Sequence, residues 1–155
     1  MAEERQGTKT LAVNRRARYD YTVEENLECG IALEGTEVKS LKAGKFSFSD
    51  SYAKIDNDQL VLVGFHITPY MFGNIHNHEP DRLRVLLAHK KEIKRLKRKV
   101  DERGYTLIPL RVYLKRGLIK LDLGICQGKK QKDKREAIKE RDVKREVERE
   151  FRGRL

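Results

Sequence analysis

His76, His78, Glu79 and Asp81 are the closest-set group of side chains able to hold a metal or move protons. Such a group would suit metal-assisted hydrolysis or modification of RNA, with His76, His78 and Asp81 around one ion. The spacing argues against it, because no third partner falls at helical or hairpin distance and Pro80 marks a polar loop. His66 and His89 stand alone, better suited to structural or phosphate-facing roles than to general base work. Cys29 and Cys126 are far apart and form no CxxC or Cys/His cluster, so they read as semi-buried thiols, not as a zinc site or a disulfide framework. The chain also lacks a glycine-rich phosphate loop, a GxSxG elbow and an HExxH helix. The expectation is a protein that is not an enzyme and carries no metal or cofactor.

The stronger chemistry is that of polyanions. Thirty-five Lys and Arg against 24 Asp and Glu leave a net charge of +11 on 155 residues, enough for a positive field over the folded surface. Nucleic acid is the commonest partner of such a field. Membrane partners fail on pattern. No run approaches the ~20 apolar residues that span a bilayer, and the opening MAEERQGTK has no apolar stretch after its charges, so no signal peptide is expected and the cytoplasm is the predicted compartment. Tyr19, Tyr21 and Tyr70 sit among polar neighbours and are candidates for stacking on bases, whereas Phe46, Phe48, Tyr52, Phe65 and Tyr113 read as core. With no Trp and 7% aromatic residues, recognition should lean on phosphate contact and shape, which suits a folded RNA better than a bare strand.

Strands must carry most of these groups. Ile108, Leu110, Val112 and Leu114 alternate, and after Lys115-Arg116-Gly117 the alternation resumes through Ile119, Leu121, Leu123 and Ile125, which predicts a hairpin. Tyr52 to Ile55, then Asn57-Asp58, then Leu60 to Val63 and on to Ile67 predict a second. Ile31 to Leu33 and Val38 to Leu41 on either side of Gly35, together with Phe46 and Phe48, read as further strands. The total is about six short antiparallel strands, and closing them into a small oligonucleotide-binding type of barrel would remove exposed edges.

Helices flank the strands. Leu83, Leu86 and Leu87, then Ile93, Leu96 and Val100, fall at helical spacing and predict a helix or a helical pair broken near His89, started at Pro80-Asp81 and stopped by Gly104. Its outer face, with Lys90, Lys91 and Lys94, is strongly basic. A shorter helix is expected around Asn14 to Tyr19, with Asn14 as its cap. Composition then divides the chain at Gly128. Residues 1–127 should form the RNA-binding domain, while 128–155 hold 12 Lys/Arg and 7 Asp/Glu among 28 residues and cannot build a core. Such a tail should be disordered alone. Val143, Val147 and Phe151, recurring every fourth position, let it become helical on a partner.

Five strings in order, NRRARYDY at 14–21, ECGIALEGTEVKSLKAGK at 28–45, SDSYA at 49–53, ITPY at 67–70 and GKKQKDKR at 128–135, closely resemble the small protein B family. The resemblance implies a six-stranded oligonucleotide-binding barrel that holds the tRNA-like domain of transfer-messenger RNA and brings it to the A site of stalled ribosomes, an act called trans-translation. It implies that Asn14 and Glu28 belong to the RNA-binding surface, with Arg15, Arg16, Arg18, Tyr19 and Lys39 nearby and the basic helix alongside. A carboxylate at Glu28 cannot attract phosphate, so there it must accept from a ribose hydroxyl or base amino group, or orient a cation. In the tail, Gly128, Lys129, Lys130, Lys132, Asp133, Lys134 and Arg135 would meet ribosomal RNA in the decoding centre of the small subunit and the message channel. Elongation factor Tu and alanyl-tRNA synthetase would be partners only through the RNA, and the protein itself a monomer. Two positions depart from the family pattern: Lys132, often an aromatic or His, and Tyr19, often His. A ribosome-associated structural protein whose tail threads ribosomal RNA is the competing non-enzymatic reading.

Overall fold

The computed structural model describes residues 7–73, 77–128 and 141–147. In chain order the elements are β1 (Thr8–Val13), α1 (Arg15–Asp20), β2 (Tyr21–Ile31), α2 (Gly35–Lys42), β3 (Phe46–Ser47), β4 (Tyr52–Asp56), β5 (Gln59–Val63), β6 (His66–Ile67), β7 (Arg84–Leu87), α3 (Lys90–Arg103), β8 (Thr106–Lys115) and β9 (Leu118–Gly128). The chain is mainly β with short helices. Both expected hairpins form on two-residue turns. Asn57 and Asp58 take φ of 49° and 60° between β4 and β5, and Arg116 and Gly117 take 52° and 79° between β8 and β9. Positive φ at both central residues gives the turn whose twist matches its strands, so these residues set the register.

The main sheet runs β1-β8-β4-β5-β7-β2-β9, and β9 also pairs along β8. That second pairing closes β8, β4, β5, β7, β2 and β9 into a ring of six antiparallel strands, with β1 attached outside on the edge of β8. Alternation sends Leu121, Leu123 and Ile125 of β9 inward, where with Leu60, Leu62, Phe65, Leu86 and Leu107 they are essentially without solvent exposure. Leu96 of α3 closes the core, with Ile93 and Val100 packed beside it, and Gly104 ends α3 with φ 68°.

Four expectations are corrected. Val38 to Leu41 form helix, not strand, because Glu34 and Glu37 start α2 at Gly35, the Glu34 N–H donating to Glu37 Oε1 at 2.8 Å. Arg84 to Leu87 form strand, not helix. Their backbone pairs with β5 (Leu60 opposite Leu86, Leu62 opposite Arg84), and tertiary pairing overrides the apparent helical spacing, so the helix begins only at Lys90. Asn14 is no side-chain cap: its Nδ2 donates instead to the Pro109 carbonyl at 2.9 Å. Tyr52, expected inside, is 41% exposed, because in β4 it is Ala53, on the opposite face, that is buried. The apolar pattern also left β1 and the eleven-residue β2 unseen, since β2 shows solvent Thr22, Glu24, Asn26 and Glu28 on alternate positions.

Of the tail, residues 141–147 are helical, with Val143 and Val147 53% and 61% exposed. Lys129, Lys130, Lys132, Asp133, Lys134 and Arg135 lie outside the described residues. Among the described residues no helix is long and apolar enough to cross a membrane.

Candidate nucleic-acid interface

The helix α1 is only six residues long and owes its position to packing. Its Ala17, 3% exposed, sits with Ile108, Leu110 and Cys126 on the outer face of β8 and β9, flanked by Tyr21 and Val23. Gly124 makes room beneath, since a Cβ there would come within 2.8 Å of Leu110 Cδ1. Asn14 bolts the entry of the helix to β8 twice, through its side chain to Pro109 and its N–H to the Leu110 carbonyl at 2.7 Å. Held this way, α1 turns Arg15, Arg16 and Arg18 to solvent, with Arg16 reaching Asp20 at 3.3 Å. Tyr19 is half-buried, and the Arg141 guanidinium of the tail helix lies 6.0 Å from its ring centroid.

Beyond α1 the same sheet face stays open and polar. Cross-strand neighbours set Asp122 of β9 opposite both Glu28 of β2 and Arg111 of β8, and Tyr113 opposite Lys120. The Glu28 carboxylate accepts the Tyr113 hydroxyl on Oε2 and the Lys115 ammonium at 3.3 Å on Oε1. The Arg111 guanidinium stacks 4.3 Å over the Tyr113 ring. The Tyr113 bond, helped by Lys115, holds the Glu28 carboxyl below its ordinary value against the contrary pull of burial. Burial, then the hydrogen bond to Glu28, pushes the Tyr113 hydroxyl up. Burial also raises Asp122, with Arg111 and Arg18 opposing it. The strand β9 is what joins the two: α1 packs on its Cys126, and Glu28 lies opposite its Asp122.

Glu28 therefore acts first on its neighbours: it fixes a tyrosine and a lysine. Replacing it with alanine leaves the Tyr113 hydroxyl, on a residue 3% exposed, without its acceptor. The expected loss is about 1–3 kcal/mol of stability in urea titration, and a loss under about 0.5 kcal/mol would show the hydroxyl already satisfied by solvent.

The basic helix α3 flanks this face. Glu25 of β2 pins it through Arg95 Nη1 at 2.7 Å and through the Lys99 ammonium, leaving Lys90, Lys91 and Lys94 exposed. A groove lined by Glu28, Gly30, Leu87, His89, Glu92 and Lys120 links the start of α3 to the Glu28 face. Lys39 is placed elsewhere, on α2, with its ammonium 5.2 Å from the Tyr70 ring centroid. The positions missed from sequence, Arg111, Lys115, Lys120 and Asp122, are the outward phase of the β8–β9 hairpin. Reading the polar phase as well as the apolar one would have found them.

The described members of the candidate metal cluster are engaged with other partners. His78 is 4% exposed, and both its ring nitrogens are engaged, Nδ1 with Thr36 Oγ1 and Nε2 with the Ile67 carbonyl, each at 2.9 Å. His66 Nδ1 meets Asp81 at 2.8 Å, and Glu79 gives its backbone carbonyl to Arg84. His76 lies outside the described residues, and among those described no three such groups converge. Burial pushes the Cys29 thiol up to about 12 and the Cys126 thiol up to about 11, so both are inert at neutral pH.

Fold and site together define a class: a mainly β protein, with no converging metal ligands among its described residues, whose polar sheet face is framed by cationic helices. The family model described as SmpB protein matches residues 11–153. The chain belongs to the SmpB family. It is 51% identical over 148 residues to the SsrA-binding protein of Treponema denticola, covering 96% of each chain, and 52% identical over 147 residues to that of Desulfitobacterium hafniense, covering 95% and 94%. A solved chain described under "tmRNA-SmpB: a journey to the center of the bacterial ribosome" superposes with a TM-score of 0.65 at 47% identity, over 82% of this chain and 93% of that one.

Proposed function

We propose that this protein binds the tRNA-like domain of transfer-messenger RNA and delivers it to the A site of stalled ribosomes for trans-translation. The carrying observation is that α1, with Arg15, Arg16 and Arg18 exposed, packs on the outer face of the same strands, β8 and β9, that carry Tyr113, Arg111 and Asp122 beside Glu28, with the exposed lysines of α3 at the border. Cations spaced along such a face match phosphates of a folded RNA, and the carboxylate holds the array in one geometry. The names of the relatives, SsrA-binding proteins, and the tmRNA-bearing structural neighbour support the same reading. In it the tail from Gly128, with Lys129, Lys130, Lys132, Asp133, Lys134 and Arg135, enters the decoding centre and message channel. Elongation factor Tu and alanyl-tRNA synthetase are reached only through the RNA, and the protein works as a cytoplasmic monomer.

The two surfaces should fail separately. A chain ended before Gly128 is expected to keep its affinity for the tRNA-like domain within about threefold and to lose peptide tagging on stalled ribosomes. RNA-binding and tagging assays on the same preparation check this. Equal loss of both would overturn the division of labour.

A further inference from the structure

Phe72 and Met71 are 81% and 83% exposed, the most exposed large apolar side chains of the described residues. A surface phenylalanine is ordinary when its surroundings are loose, but here the residues on either side of it, Tyr70 and Gly73, are tied down. The Asn77 side chain grips Tyr70 on both backbone groups, donating to its carbonyl at 2.8 Å and accepting its N–H at 3.2 Å. The Gly73 N–H donates to the same carbonyl at 2.9 Å, and a Cβ on Gly73 would lie 2.5 Å from Asn77 Nδ2, so the turn fits glycine there. Next along the chain, buried His78 is bonded to Thr36 and to Ile67, and the Thr68 N–H donates to the Lys45 carbonyl. The tip is thus a built feature, anchored to α2 and β6.

Its chemistry is aromatic and cationic together. The Phe72 and Tyr70 rings lie 5.7 Å apart at 68°, Phe72 stays largely open to solvent, and Lys39 stands over Tyr70. Exposed Lys42 and Lys45 follow Lys39, and no acidic residue occurs from Val38 to Ser49 or from Ile67 to Gly73. An apolar protein partner would need neither the lysines nor a ring held edge-on. A nucleotide uses both, its phosphate meeting a lysine and its base stacking on the ring.

The tip is carried by α2 and β6, whereas α1 packs on β8 and β9, so it is a second surface. We propose that Phe72, supported by Tyr70 and Lys39, stacks on an unpaired base of ribosomal RNA while the α1 face holds transfer-messenger RNA. This rests on the function proposed above, and its test separates the two.

Phe72→Ser in the full chain should melt like the parent, because the ring is exposed. It should bind the isolated tRNA-like domain within about twofold of the parent, yet be retained on stalled ribosomes roughly tenfold less well, the worth of one stacked base. Phe72→Tyr, which keeps a ring, should restore retention. Stacking adds no phosphate contact, so the salt slope of retention should stay unchanged in Phe72→Ser, while Lys39→Gln should lower it by roughly 0.7. A photo-reactive p-benzoylphenylalanine at position 72 should cross-link to ribosomal RNA. Cross-links confined to ribosomal protein or to transfer-messenger RNA, unchanged retention of Phe72→Ser, or a loss of its affinity for the tRNA-like domain would each overturn the proposal.

Discussion

Glu37→Ala should cost this protein about 3–5 kcal/mol of folding stability, a large share of what a single domain has. Glu37 lies within the GTEVKSL string and is fully buried, as is its partner Arg84. One carboxylate oxygen accepts from Arg82 and from the Glu34 N–H, the other from Arg84 Nε at 2.6 Å. Arg84 in turn donates to the carbonyls of Phe65, Arg82, Glu79 and Pro80. A single pair thereby ties α2, β7 and two loops together. Removing the carboxylate strands a guanidinium charge in a place without water, which is why losing one partner costs more than the pair contributes.

The pH dependence follows the same bond. Burial pulls the Glu37 carboxyl upward, but the bonds from Arg82, Glu34 and Arg84 outweigh it and hold the group below its ordinary 4.5. A depressed folded-state value means the stabilisation is fully present above that ordinary value and is lost as the pH falls through the lower one. Urea titrations at pH 7 and pH 3 should therefore show parent and Glu37→Ala far apart at neutral pH and closer in acid. A gap under about 1 kcal/mol at pH 7 would mean that water reaches Arg84.

The largest functional effect is expected from replacing Arg15, Arg16 and Arg18 together with glutamine. Their side chains are exposed and α1 is held by Ala17 and Asn14, so the helix should stay in place. If each arginine meets one phosphate, the log-log salt slope for transfer-messenger RNA binding should fall by about 2 in magnitude, and affinity near 0.15 M salt by about two orders of magnitude. Arg18 also opposes the burial of Asp122, so its loss should raise that carboxyl further. Fluorescence titration across a salt series would check both numbers. An unchanged slope would place the RNA on another face.

Wherever a local rule sufficed, the fold was legible. The two hairpins followed from period-two alternation around turn residues that accept positive φ, and the end of α3 followed from Gly104. Where the backbone's partner decided, local pattern misled. Arg84 to Leu87 has helical spacing but becomes strand because β5 and β2 offer it hydrogen bonds on both sides. The candidate site divides the same way. Arg15, Arg16, Arg18 and Glu28 could be named from the family strings, whereas Tyr113 was assigned to the core by its apolar neighbours, and it is indeed 3% exposed. Its hydroxyl nonetheless reaches Glu28, because a buried tyrosine still needs a hydrogen-bond partner for its polar end.

By itself, the order of residues determined the net positive charge, the inward phase of the hairpins and the family, for these are properties of composition, period and string. Only the tertiary structure decided that α1 and Glu28 both sit on β9, that Glu37 is a buried strut, and that Lys39 belongs to the Tyr70 loop. Such pairings join residues distant along the chain, and a register set by closure of the six-strand ring brings them together. Local propensity carries no information about contacts of that range.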